Sequence, residues 1–187
     1  MLAILCAVLS DHQNNLGPGI GTSSNSELSE FAYELVSAIS KIDSNILLKV
    51  LPLLEEQLGA DDVDTRLQVV EVLAQIFEDQ GYSLMEQHRK LWNKFVSRSI
   101  DQDASVRIQC AKHLATLGKA IAEVHADVWA KIRPMLLDED PTVRAQACQT
   151  AFELAIVQPG MTAEVLAHRP ILYLSANGPT CTALHCA

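Results

Sequence analysis

The stretch LWNKFVSRSIDQDASVRIQCAKHLATL (residues 91–117) lies over VWAKIRPMLLDEDPTVRAQACQTAFEL (residues 128–154) when the chain is shifted by 37 residues. Trp92 then meets Trp129, Lys94 meets Lys131, Asp101 meets Asp138, Asp103 meets Asp140, and Val106–Arg107 meets Val143–Arg144. A third copy lies upstream, LPLLEEQLGADDVDTRLQVVEVLAQIF (51–77), in which Asp62 precedes Arg66 by four residues. Asp103 precedes Arg107, and Asp140 precedes Arg144, by the same step. Around this core the apolar residues recur at helical spacing, with Leu67, Val70, Leu73, Ala74 and Phe77 on one face of residues 63–79. The copies therefore read as helix pairs: 45–59 with 63–79, 85–100 with 104–118, and 124–137 with 141–157.

Helix pairs recurring every ~37–47 residues have the period of HEAT and armadillo arrays. The Asp at the turn followed by Val-Arg early in the second helix resembles HEAT repeats in particular, as does Pro in the first helix, at Pro52 and Pro134. One pair cannot bury its apolar face alone, whereas stacked pairs share a continuous core. The fold expected is all-α, a HEAT/armadillo-like superhelix of antiparallel helix pairs. Asp62, Asp103 and Asp140 are expected to cap the second helices, where a carboxylate also suits the helix dipole. Arg66, Arg107 and Arg144 are expected to bridge to the Asp of their own or the adjacent repeat, forming a ladder that fixes stacking register.

Working outward, residues 11–26, DHQNNLGPGIGTSSNS, read as a flexible connector, because Gly17, Pro18, Gly19 and Gly21 interrupt any periodic pattern. Ser24 with Glu27 fits a capping box, and a helix should follow with Phe31, Leu35, Ile39 and Ile42 at helical spacing. MLAILCAVL at the start lacks a positive leader and reads as the last turns of a core helix rather than a signal peptide. The expected organisation is thus a truncated helix and linker (1–26), an array of about three repeats with a preceding helix (27–157), and a divergent, poorly ordered tail (158–187). Gly160, Pro170, Gly178 and Pro179 break the pattern in that tail.

The 187 residues are 49% hydrophobic and 20% charged, with a net charge of −9. That composition excludes a disordered chain and argues against non-specific nucleic-acid binding as the main activity. Charge is uneven: residues 27–79 hold 12 acids and 3 bases, whereas residues 86–119 hold 7 bases and 3 acids. In the latter, Lys90, Lys94 and Arg98 fall at i, i+4 and i+8 on one helix and share a face that would suit an acidic partner segment, an inositol polyphosphate or DNA phosphate. An ordinary solvated helix face explains the same spacing.

The five cysteines, Cys6, Cys110, Cys148, Cys181 and Cys186, are odd in number and scattered, which points to a reducing compartment. Cys110 and Cys148 read as small core residues. Cys181, His185 and Cys186 lack the four-ligand spacing of a zinc site. His88, His113 and His125 have no relation to a nucleophile or carboxylate resembling a catalytic set. No membrane-length apolar run and no nucleotide-binding, protease or kinase motif is present. The expectation is no enzyme, no cofactor, no metal and no small-molecule substrate.

Three segments go further than the repeat pattern. YELVSAISKIDSNILLKVLPLLEEQL (33–58), DTRLQVVEVLAQIFED (64–79) and KLWNKFVSRSIDQDASVRIQCAKH (90–113), in this order, resemble the cohesin-associated "precocious dissociation of sisters" (Pds) family. The resemblance covers residues 26 to about 120 and thins beyond. It implies a non-enzymatic scaffold in the nucleus, on chromosomes, that regulates sister-chromatid cohesion by binding the kleisin subunit of cohesin and the Wapl-like and sororin-like regulators. It implies also a fragment or short form, covering about three repeats of the N-terminal half of a long solenoid. No kleisin- or Wapl-contacting residue is assigned by motif. The alternatives are another HEAT scaffold, of transport or phosphatase type, and a nucleic-acid-binding module using the basic stretch 86–119.

Overall fold

The computed structural model describes residues 31, 33–36, 38 and 44–157, and the readings made above for residues 1–30 and 158–187 lie outside them. The described residues are helical, without strands. The helices are α1 (Ser44–Gln57), α2 (Val63–Gln80), α3 (Tyr82–Gln87), α4 (Arg89–Val96), α5 (Ala104–Ala120), α6 (His125–Met135) and α7 (Pro141–Val157), with 3₁₀ turns at Ser97–Ile100 and Ala122–Val124. The fold class is all-α, of the HEAT-like helix-pair kind. The chain divides into two compact units, Met1–Phe95 and Val96–Ala187.

In the first unit, α1 and α2 form a hairpin whose short link of residues 58–62 forces them antiparallel. Leu47, Leu54, Leu58, Leu73 and Ile76 are buried in it, each 2% exposed or less. Pro52 sits inside α1 on the exposed face, beside exposed Leu48, so the carbonyl that its ring leaves unbonded can turn to water. α2 ends at Gly81, whose φ of +70° is a backbone setting that glycine adopts without strain. Beyond it, Phe77, Trp92 and Phe95 make a fully buried aromatic cluster. Phe77 meets both other rings edge-on with centroids 5.4 Å apart, and Trp92 stacks on Phe95 at 5.7 Å. Each such pair contributes about 0.5–1.5 kcal/mol beyond its area.

Two expectations are corrected in this unit. The helical residues around 33–36 bury Tyr33 and Val36, whereas Phe31 is 62% exposed. The Tyr33 hydroxyl donates to Gln57 Oε1 at 2.9 Å, so the whole ring can be buried. Ile39 and Ile42 lie outside the described residues. The second correction concerns residues 85–100, which are not one helix. The backbone leaves the helical region at His88 (φ −113°, ψ 49°), and the last turn is 3₁₀.

In the second unit, α5 packs chiefly on α7, and α6 lies against both. Val106, Cys110, Leu114 and Leu117 from α5 and Val143, Ala147, Ala151 and Leu154 from α7 are all buried. The two second helices approach so closely that a Cβ on Gly118 would lie 2.5 Å from Leu154 Cδ2. Thr150, also buried, donates its hydroxyl to the Ala111 carbonyl at 3.2 Å across the same contact. Trp129 is 6% exposed, a core residue like Trp92. Phe152, Ile156 and Val157 near the end of α7 are exposed.

Candidate functional site

The three turns that join the helices of each copy carry the recurring polar residues. Asp62, in extended conformation, accepts from the Thr65 backbone N–H and hydroxyl, both at 2.7 Å, and so caps α2. Asp103 accepts from the Ser105 N–H at 2.8 Å and from its hydroxyl, capping α5. Asp140 accepts from the Thr142 N–H at 2.7 Å, from its hydroxyl, and from the Val143 N–H at 3.3 Å. These donors, the Thr142 hydroxyl first, hold the Asp140 carboxyl below the usual carboxylate range. A short side chain with an oxygen at this position satisfies N–H groups that the first helical turn leaves unbonded.

The arginines repeat a second geometry. Arg66 Nη1 donates to the carbonyls of Ala60 and Asp61 at 2.7 and 2.8 Å. Arg107 Nη1 donates to those of Asp101 and Gln102 at 2.9 and 3.1 Å, and Arg144 Nη1 to those of Asp138 and Glu139, both at 2.9 Å. Each guanidinium therefore closes on the turn six and five residues before it. Arg107 also crosses to the next copy, donating from Nη2 to Asp138 Oδ1 at 2.8 Å, with Glu139 Oε1 at 3.9 Å. The Asp138 carboxylate leads the causes that raise the Arg107 guanidinium above its ordinary value.

The acid that meets Arg107 is thus Asp138, two residues before the cap, rather than the capping Asp140. Its counterpart Asp101 accepts from Arg98 Nη1 at 2.9 Å and from the Asp103 N–H at 3.0 Å. Asp138 likewise accepts from the Asp140 N–H at 2.9 Å. The 37-residue alignment had placed Asp101 over Asp138, and that coincidence was the available signal for this second acid. The first copy has Ala60 at the same position.

The basic trio divides. Lys90 and Lys94 lie on α4 and both reach Glu55 Oε1 of α1, at 3.0 and 2.9 Å, which lowers the Glu55 carboxyl, Lys94 having the larger effect. Their side chains stay 80% and 47% exposed, so the pairs contribute at most about 1 kcal/mol each and leave a basic surface. Arg98 does not continue the face of that helix. It lies in the 3₁₀ turn, which winds three residues per turn, and it pairs with Asp101 in the second unit.

Beside the Arg107–Asp138 bridge opens a groove of about 330 Å³, whose lining includes Ser99, Ile100, Met135 and Glu139. Cys110 and Cys148 are buried, and burial pushes the Cys110 thiol up to about 12, which suppresses the nucleophilic thiolate. His125, also buried, uses Nε2 against the Gly118 carbonyl. Among the described residues, no three His, Cys, Asp or Glu side chains converge as metal ligands would, and no helix is long and apolar enough to cross a membrane.

Helix pairs with capped turns and turn-closing arginines define a helical-repeat protein of the HEAT class. The chain belongs to the sister chromatid cohesion PDS5 family, described as Sister chromatid cohesion protein PDS5 protein, whose model matches residues 3–164. The match takes in residues 120–157, where the resemblance read from the sequence thins. The chain is similar to Sister chromatid cohesion protein PDS5 homolog B-A of Xenopus laevis, 40% identical over 93 residues. It is also similar to PDS5 homolog B of Homo sapiens and PDS5 homolog A of Danio rerio, each 39% identical over 93 residues. Those residues are 50% of this chain but 6%, 6% and 7% of the respective relatives, so the chain spans a small part of their length.

Proposed function

We propose that the chain acts as a non-enzymatic HEAT scaffold that regulates cohesin through protein–protein contacts. Its partners would be the kleisin subunit and the Wapl-like and sororin-like regulators, in the nucleus and on chromosomes. Family membership over residues 3–164 is the observation that carries this reading. The disposition of the polar residues supports it: the carboxylates and guanidiniums that recur from copy to copy cap helices and close turns, as a stacking array requires. The exposed side chains of Lys90 and Lys94 would take an acidic partner segment, with Arg98 a separate contact in the second unit.

Co-precipitation of the full chain from nuclear extract, read by mass spectrometry, tests the reading. Enrichment of cohesin subunits over a scrambled helical control is the expected result. Recovery of transport or phosphatase subunits in their place would assign the chain to a different HEAT scaffold.

A further inference from the structure

The groove beside the Arg107–Asp138 bridge has three features that the stacking role does not use. Ser99 is 1% exposed and lines the groove, yet its hydroxyl has no hydrogen-bond partner. A buried hydroxyl left this way is destabilising, and a ligand that uncovers and bonds it would relieve that penalty. Ile100, in the groove lining, and Leu137, next to the lining residue Asp138 in the chain, are 72% and 71% exposed although both are large and aliphatic. They stand 37 residues apart, at the same position of successive copies, and would be polar if the turns were only solvated surface. Charge is the third feature. Arg98 occupies Asp101 and Arg107 occupies Asp138, which leaves Glu139 as the excess charge, its side chain 91% exposed.

We propose that this groove receives an extended segment of a partner protein carrying a Lys or Arg beside aliphatic residues. The proposal deepens the scaffold reading and rests on it. The cation pairs with Glu139, and a shift of the groove wall that uncovers the Ser99 hydroxyl would let a backbone amide of the segment donate to it. Aliphatic side chains cover Ile100 and Leu137, above Met135. Neighbouring helices of a repeat array lie about 8–10 Å apart. An extended strand advances about 3.3 Å per residue and a polyproline-like one about 3.1 Å. Anchors two or three residues apart therefore match the step from one copy to the next. An acidic segment is disfavoured, since it would meet Glu139 and the lining carboxylates of Asp101 and Asp138.

A labelled peptide of repeated Arg-Leu-Ser units, titrated into the full chain by fluorescence polarisation, tests this, with a Glu-Leu-Ser peptide beside it. The basic peptide should bind at least about tenfold more tightly than the acidic one. Glu139→Lys and Leu137→Ser should each weaken it by about tenfold without moving the thermal transition, because both side chains are exposed. Glu78→Lys, the same charge change on the exposed side of α2, should alter affinity by less than about twofold. Equal binding of the acidic peptide, an equal loss with Glu78→Lys, or no loss with Leu137→Ser would overturn the proposal. Failure of the peptide while the unchanged chain still recovers cohesin strikes the groove alone. Failure to recover cohesin strikes the scaffold reading.

Discussion

Arg107 divides one guanidinium between two turns. Nη1 holds the carbonyls of Asp101 and Gln102, and Nη2 holds Asp138 in the following copy. Its side chain is 7% exposed and that of Asp138 12%, so water does little to screen the pair. Truncation leaves two carbonyls and a largely buried carboxylate without their donor. Arg107→Ala should therefore lower stability by about 3 kcal/mol in urea unfolding. Arg107→Lys keeps the charge but loses the planar fork, and should still cost about 1–2 kcal/mol. A loss under ~0.5 kcal/mol for both would show that the bridge is ornamental. The capping aspartates and the arginines could be read from the sequence because they recur in all three copies at a fixed step. Asp138 as the acid across the interface could not. Both it and Asp140 align with acids in the preceding copy, and only the side-chain path of Arg107 decides between them.

The elements follow local chemistry closely where the chain signals it. Asp103 before Ala104 and Asp140 before Pro141 set the starts of α5 and α7, and the apolar spacing sets their buried faces. Asp103→Ala should cost about 1 kcal/mol through the lost cap, measured by urea unfolding. Asp140 adds a pH dependence. Its folded carboxyl titrates below the unfolded value of ~3.9, so its contribution is fully present above that value and is lost as pH falls through the lower folded one. Asp140→Asn caps without titrating. The stability difference between native chain and variant should be constant from neutral pH down to about 5 and shift toward the variant by pH 3. A difference that does not change with pH would remove the titration from the account. The break at His88 had no such signal, since neither glycine nor proline stands there and the apolar spacing runs through it. The burial of Tyr33 was hidden for another reason: its partner Gln57 lies 24 residues away.

For the whole molecule, the period revealed the repeat class and three segments revealed the family, because both are written in residues that recur or lie in fixed order. Contacts between distant residues, such as Lys90 and Lys94 with Glu55, are invisible to either signal. The net charge of −9 bears on the nucleic-acid alternative. The basic stretch 86–119 is partly neutralised, by Glu55 at Lys90 and Lys94, by Asp101 at Arg98, by Asp138 at Arg107 and by Glu153 at Lys119. Binding of the full chain to duplex DNA at physiological salt should be weaker than about 10 µM. Sub-micromolar affinity that collapses as salt rises would favour the nucleic-acid module instead.

The turn-closing arginines bear on how such an array grows. Arg66, Arg107 and Arg144 each tie off their own loop by the same two carbonyl bonds, whatever stands alongside. A copied segment of DNA encoding one hairpin therefore delivers a part whose hardest corner is already finished. Lengthening by duplication then asks mutation to tailor only the mating sides.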